Sequence, residues 1–188
     1  MKKLNLGTTL AALCLFFLPW LDFQCSGKSM MTQSGLQVIS GGGTPSAEFE
    51  DLAGSSGKSK MDEEERRMSP IVGIVFLDLL LAFVLSIAAL RVADHRWSSV
   101  VQGLCAGALL LLALQMAIGF PAAEAMQESL HRGGGREANP ESALVAAMLD
   151  LKVKRLPSLY LLLAVLVIPT LMFVNGLIDR FMKKGGNR

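Results

Sequence analysis

The sequence predicts an all-α membrane protein, a four-transmembrane-helix bundle with a small extracytoplasmic β-hairpin or sheet in the first outer loop. Three observations carry this expectation. Of the 188 residues, 52% are hydrophobic and only 18% are charged, a balance too apolar for a soluble domain of this size. The charges are clustered, leaving four stretches with almost none, at residues 4–21, 71–90, 97–121 and 156–178. Each is long enough for a helical crossing, which takes roughly 20 residues because a bilayer core of ~30 Å offers no partners to backbone N–H and C=O groups. Lastly, the basic residues Lys2, Lys3, Arg91, Arg96, Arg180, Lys183, Lys184 and Arg188 fall where four crossings place one face, while the chain outside that face carries 10 basic and 14 acidic residues. By the positive-inside rule that face is the cytoplasm, so both termini are expected inside an inner or plasma membrane.

The first span, 4–21, begins like a secretory signal but has no small-x-small cleavage site before Ser26. Neither Cys14 nor Cys25 follows the small residues of a lipoprotein signal, so the helix is expected to be retained, with Trp20 as an interfacial anchor. The outer loop 22–70 starts with an expected hairpin over 20–33, in which Ser26-Gly27 makes the two-residue turn. In regular register Leu21, Phe23, Cys25 and Met30 share an apolar face, and Asp22, Gln24, Ser29 and Gln33 the opposite one. Trp20, Phe23, Cys25 and Met30 are thus candidate outer-loop contacts. Gly35–Ser40 is read as a third strand, and the alternation Leu151-Lys152-Val153-Lys154 as another; an irregular loop is the competing reading. Residues 41–60, rich in Gly, Ser and Pro, read as a flexible linker. The run Asp62-Glu63-Glu64-Glu65-Arg66-Arg67 reads as a short solvated helix entered at Ser59 and ended near Pro70. Its successive carboxylates point about 100° apart and do not converge on a metal.

The second span, 71–90, contains Asp78, about seven residues or ~10 Å from its outer end. A carboxylate in hydrocarbon costs several kcal/mol and demands a reason. Gln115 in the third span, 97–121, is expected at similar depth and is the proposed hydrogen-bond partner. The pair serves either as glue between helices or, in a functional reading, as part of a proton or cation relay. Gly103 and Gly107 form a small-xxx-small face for helix packing, Cys14 and Cys105 are expected to be buried, and Pro169 is expected to kink the fourth span, 156–178, freeing the Val165 carbonyl for Thr170 or a neighbour. The outer loop 122–155 holds a Gly133-Gly134-Gly135 hinge and a helix over 140–151, capped by Asn139 with Pro140 in the first turn. Residues 179–188 form the cytoplasmic tail.

Composition narrows function as well. A net charge of +2, from 18 basic and 16 acidic residues, gives no surface built for nucleic acid. Three Cys do not staple a secreted scaffold, and two His, His95 and His131, fall on opposite sides of the membrane. No catalytic constellation, phosphate-cradling loop or cofactor motif is legible, so no enzyme, cofactor or metal is expected.

Pro19-Trp20, Cys25-Ser26-Gly27 and Ser34-Gly35-Leu36-Gln37, directly after a first membrane helix, resemble the start of the outer loop in small uncharacterised bacterial four-helix (tetraspan) membrane proteins. That resemblance covers about the first forty residues and implies the tetraspan architecture without an activity. The helix count and sheet-like loop are also similar to claudin-type tetraspans by architecture alone, since the paired loop cysteines of that group are absent. The expected function is a non-enzymatic accessory or scaffold subunit of a membrane assembly, with the bilayer and other subunits, or a second copy, as partners. The alternatives are a small transporter or channel component using Asp78 and an envelope sensor with a ligand-binding outer loop.

Overall fold

A computed structural model describes residues 2–25, 27–46, 69–91, 96–121 and 151–185. Within them the chain is mostly helical, with three long apolar helices, a shorter helix packed among them and a small antiparallel sheet seated on one end. The expected charge-run helix at 62–67, most of the linker, the Gly133-Gly134-Gly135 hinge, the helix over 140–150, both His and the Cys25 side chain lie outside the described residues.

Helix α1 spans Lys2–Phe16 and ends five residues short of the expected boundary. Pro19 explains the stop: it has no N–H, and it biases the preceding residue away from helical geometry. Phe17 and Leu18 donate back to the carbonyls of Cys14 and Leu15, both at 3.2 Å, tightening the last turn. The Trp20 indole N–H then bonds the Leu15 carbonyl at 2.9 Å.

Strands β1 (Pro19–Cys25) and β2 (Lys28–Ser34) form the expected hairpin, with Gly27 at φ 82° in the turn. Its register shifts twice, once across Trp20 and once between Phe23 and Gln24. The second shift skips Met30, so Phe23 pairs with Met31 and Leu21 with Gln33. An extra residue moves everything beyond it to the other face. Met31 therefore replaces Met30 on the apolar face, and Gln33 joins Leu21 there instead of Asp22. The first shift turns Trp20 back onto Phe16, whose ring it meets edge-on at 4.4 Å. Trp20 and Phe23 are fully buried, so neither is a surface contact.

Residues Gly35–Ser40 form helix α2, not a strand. Ser34 and Gln37 make a reciprocal capping box, and Gly41 closes the helix at φ 70°. The third strand is instead the short β3, Thr44–Pro45, on the edge of β2, where a flexible linker is expected to have begun. On the other edge, β4 (Leu151–Arg155) pairs with β1 as anticipated, giving the order β3-β2-β1-β4.

The long helices are α3 (Pro70–Arg91), α4 (Arg96–Ile118) and α5 (Pro157–Gly185), each long and apolar enough to cross a membrane by length and composition. Ser69-Pro70 starts α3 with a polar residue before a first-turn proline. Helix α4 ends three residues before Pro121 because Gly119, at φ 102°, donates its N–H to the Gln115 carbonyl at 2.9 Å. Buried positions recur at alternating three- and four-residue steps: Val72, Val75, Leu79, Ala82, Ser86 and Ala89 on α3, and Ser98, Val101, Cys105, Ala108, Leu112 and Gln115 on α4. That spacing is the seam of left-handed bundle packing. Helix α3 contacts α1 on one side and α4 on the other, and α5 closes the ring between α4 and α1.

Candidate functional site

Ser69 on α3 faces Gln115 on α4, and Asp78 faces Gly107. These two contacts fix an antiparallel register in which Asp78 lies more than two turns from Gln115. The expected Asp78–Gln115 pair therefore does not form. The apparent match in depth assumed that the third helix continues to Pro121; it stops at Ile118, which puts Gln115 in its last turn. Gln115 is buried there and fully engaged: Ser69 Oγ donates to its Oε1 at 3.0 Å, and its amide donates to the Gly119 carbonyl at 2.5 Å. Gln115 is a clasp between the ends of two helices.

Asp78 occupies a different position. It is half-buried on the flank of α3, with Oδ2 where a Cβ on Gly107 would meet it at 3.4 Å. Among the described residues its carboxylate has neither a hydrogen-bond nor an ion-pair partner. Ile74 and Leu81, one turn to either side along the same flank, are 55% and 49% exposed. On its other side Val75 and Ala82 are fully buried, so the carboxylate lies at the margin of the α3–α4 contact, where the groove between the two helices meets the exposed face of α3. Gly107 keeps that groove open, because a larger side chain would fill it.

The small-xxx-small face is divided between two neighbours. Gly103 receives the Phe173 ring of α5, which an added Cβ would meet at 3.3 Å, and Gly107 receives Asp78 of α3. Helix α5 runs on through Pro169, and Thr170 Oγ1 donates to the Leu166 carbonyl at 2.7 Å, not to the carbonyl of Val165. Beyond this point α5 leans on α4 through Phe173 and through Arg180, which donates to Ser99 Oγ at 3.1 Å. Cys105 is buried as expected, whereas Cys14 points outward from α1.

One polar cluster was missed in the sequence. At the end of the bundle away from the sheet, Asn5, Thr8 and Thr9 of α1, Ser86 of α3, and Ser98 and Gln102 of α4 are all buried. Asn5 Nδ2 donates to Ser98 Oγ at 2.8 Å. Thr8, Thr9 and Ser86 donate their hydroxyls to carbonyls of their own helices, which leaves their lone pairs available as acceptors. Asn5 Oδ1 is buried with no partner although the residue is only 3% exposed. The legible signal was the recurrence of polar residues on the inner three- and four-residue spacing of otherwise apolar helices.

The sheet adds a polar surface. Its bundle-facing side carries Leu21, Phe23, Met31, Val153 and Arg155, and Arg155 donates to the Met116 carbonyl at 3.3 Å. The opposite side carries Asp22, Gln24, Ser29, Thr32, Lys152 and Lys154. There Asp22 accepts from Ser29 Oγ and Gln24 Nε2, both at 2.5 Å. No family model, curated protein or solved structure matches the chain.

Proposed function

We propose that this chain is a four-pass membrane protein acting as a non-enzymatic accessory or scaffold subunit of a membrane assembly. The observation that carries the reading is an inverted distribution of polarity. The outer faces of α3, α4 and α5 present Leu77, Leu80, Leu110, Leu114, Leu161 and Leu171, while Ala, Ser, Thr, Asn and Gln line the inner seam at one end. An apolar belt of this extent is far larger than a soluble monomer tolerates, and small residues inside are how helices approach closely in lipid.

Helix α1 supplies the fourth pass in this reading. Its 15 residues make only ~22 Å of helix, and the sheet takes over where it stops. Asn5–Ser98 and Ser99–Arg180 contacts put the starts of α1 and α4 and the far part of α5 at one end. The basic residues at that end assign it to the cytoplasm. The sheet then faces outward, and its polar side with Lys152 and Lys154 is a surface for partner ectodomains. Purification in mild detergent tests the assignment: stoichiometric membrane-protein partners are expected, and a chain that purifies alone from its native membrane contradicts it.

A second reading, a small solute or ion carrier, is favoured by the acceptor-rich interior around Asn5 Oδ1 and Gln102. Flux through proteoliposomes containing only this protein, lost on substitution of Gln102 by Leu, would establish that reading in place of the first. Asp78, at the level of Gly107, stands apart from the Asn5–Ser98 end of that interior.

A further inference from the structure

We propose that the α3–α4 groove at Asp78 seats a transmembrane helix of a different protein, and that this helix carries a Lys or Arg whose cation pairs with the Asp78 carboxylate. The inference rests on the membrane-subunit reading and names the kind of partner it requires. Asp78 begins the third turn of α3, eight residues after Pro70, or ~12 Å into the helix at ~1.5 Å per residue. A carboxylate at that depth, half-exposed and unpartnered among the described residues, faces lipid unless something covers it. Uncovered, it carries the full penalty of a polar group in hydrocarbon.

The groove has the form a helix needs. Gly107 contributes no side chain at the floor, and the apolar Ile74 and Leu81 border it on α3. Charge then selects the occupant. Residues 4–16, 71–90, 97–118 and 156–178 contain no Lys, Arg or His, so a second copy of this chain has no cation to offer at any depth. A foreign helix with one basic residue satisfies Asp78 and its own cation together, converting two costly groups into one paired contact.

The full-length protein, carrying a photo-reactive benzoylphenylalanine at Leu81 or, separately, at Leu111 on the facing flank of α4, is irradiated in its native membrane. Adducts are mapped by mass spectrometry. The expected product joins the groove to a hydrophobic segment of another integral protein with a Lys or Arg inside its span. Its yield falls about tenfold in Asp78→Leu, the scale of one interhelical polar contact in lipid. Exchanging the charges, Asp78→Lys here and the basic residue to Asp in the partner, restores it. Asp78→Leu replaces a half-exposed side chain and is expected to keep the wild-type unfolding temperature; if it does not, Asp78→Asn carries the comparison with the same loss of about tenfold required. Adducts to this chain's own sequence, to lipid only, to a segment without a basic residue, or at unchanged yield in the variants overturn the proposal. Stoichiometric partners that crosslink only at the sheet refute the groove while leaving the subunit reading intact, whereas the absence of any partner removes both.

Discussion

The two ends of the bundle are built from different materials. At the sheet end Phe16, Trp20, Leu21, Phe23, Val72, Leu112, Leu159 and Leu162 fill the space between helices with large side chains. The polar groups admitted there are mostly clasps: Gln115 to Ser69 and Gly119, Trp20 to Leu15, and Ser158 to the Pro19 carbonyl. At the other end Asn5, Thr8, Thr9, Ala82, Ser86, Ala89 and Ser98 leave little volume to bury, and Asn5 Oδ1 is an acceptor without a donor. One end is held by shape and the other by close approach and a few hydrogen bonds. The difference locates where the molecule resists change and where it yields.

The largest effect should come from Trp20. It ends α1, turns β1 and packs on Phe16, while Gly35 passes so close that a Cβ there would meet Trp20 and Phe16 ring atoms at 2.6 Å. Trp20→Ala removes the ring from a closed space and the indole bond to the Leu15 carbonyl, a loss of about 3–5 kcal/mol. Thermal unfolding in detergent should show it, along with loss of the strand signal in circular dichroism. A loss below about 1 kcal/mol would mean that the sheet end is not the rigid one.

This junction also shows what can be read without a structure and what cannot. The apolar stretches of α3, α4 and α5, the Ser26-Gly27 turn and the β4 alternation are legible because each follows from local composition or a two-residue period. Ser34-Gly35-Leu36-Gln37 carries a capping box, whereas the β-branched Val38-Ile39 pair that follows favours strand locally. The β1 bulges left no local mark: skipping Met30 depends on Phe23 and Leu21 both needing the bundle face, a tertiary demand. Asp78 was recognisable as unusual, yet its neighbour was not. Choosing Gly107 over Gln115 required the exact end of α4, which Gly119 sets and Pro121 suggested wrongly.

An identical chemical change at the two ends should give different results. Gln115→Leu strands the Ser69 hydroxyl and the Gly119 carbonyl, and is expected to cost about 1–3 kcal/mol. Asn5→Leu breaks the amide's bonds to the Ser98 hydroxyl and carbonyl but also removes an orphaned acceptor, so its net effect is expected within about 1 kcal/mol of zero. Paired melts of the two variants measure the contrast directly. If Asn5→Leu proves as costly as Gln115→Leu, Asn5 Oδ1 has a donor in solution, and the seam at the end away from the sheet is held as firmly as the Gln115 clasp.

The smallest effect is expected at Gly103. An added methyl meets Phe173 at 3.3 Å, tight enough that the ring must withdraw by a few tenths of an ångström. Whether it does so cheaply depends on how firmly the far part of α5 is held. Leu171, Val174, Leu177, Ile178, Phe181 and Met182 are all exposed there, and the contacts to α4 include Phe173 itself and Arg180 to Ser99. A helix segment resting on so little shifts readily, so Gly103→Ala should change stability by no more than about 0.5 kcal/mol, below the usual 1–3 kcal/mol of overpacking. A spin label at Leu177 would register the same event as a small displacement from α4. A cost above about 2 kcal/mol with no displacement would show α5 clamped along its whole length, and the two ends of the bundle equally rigid.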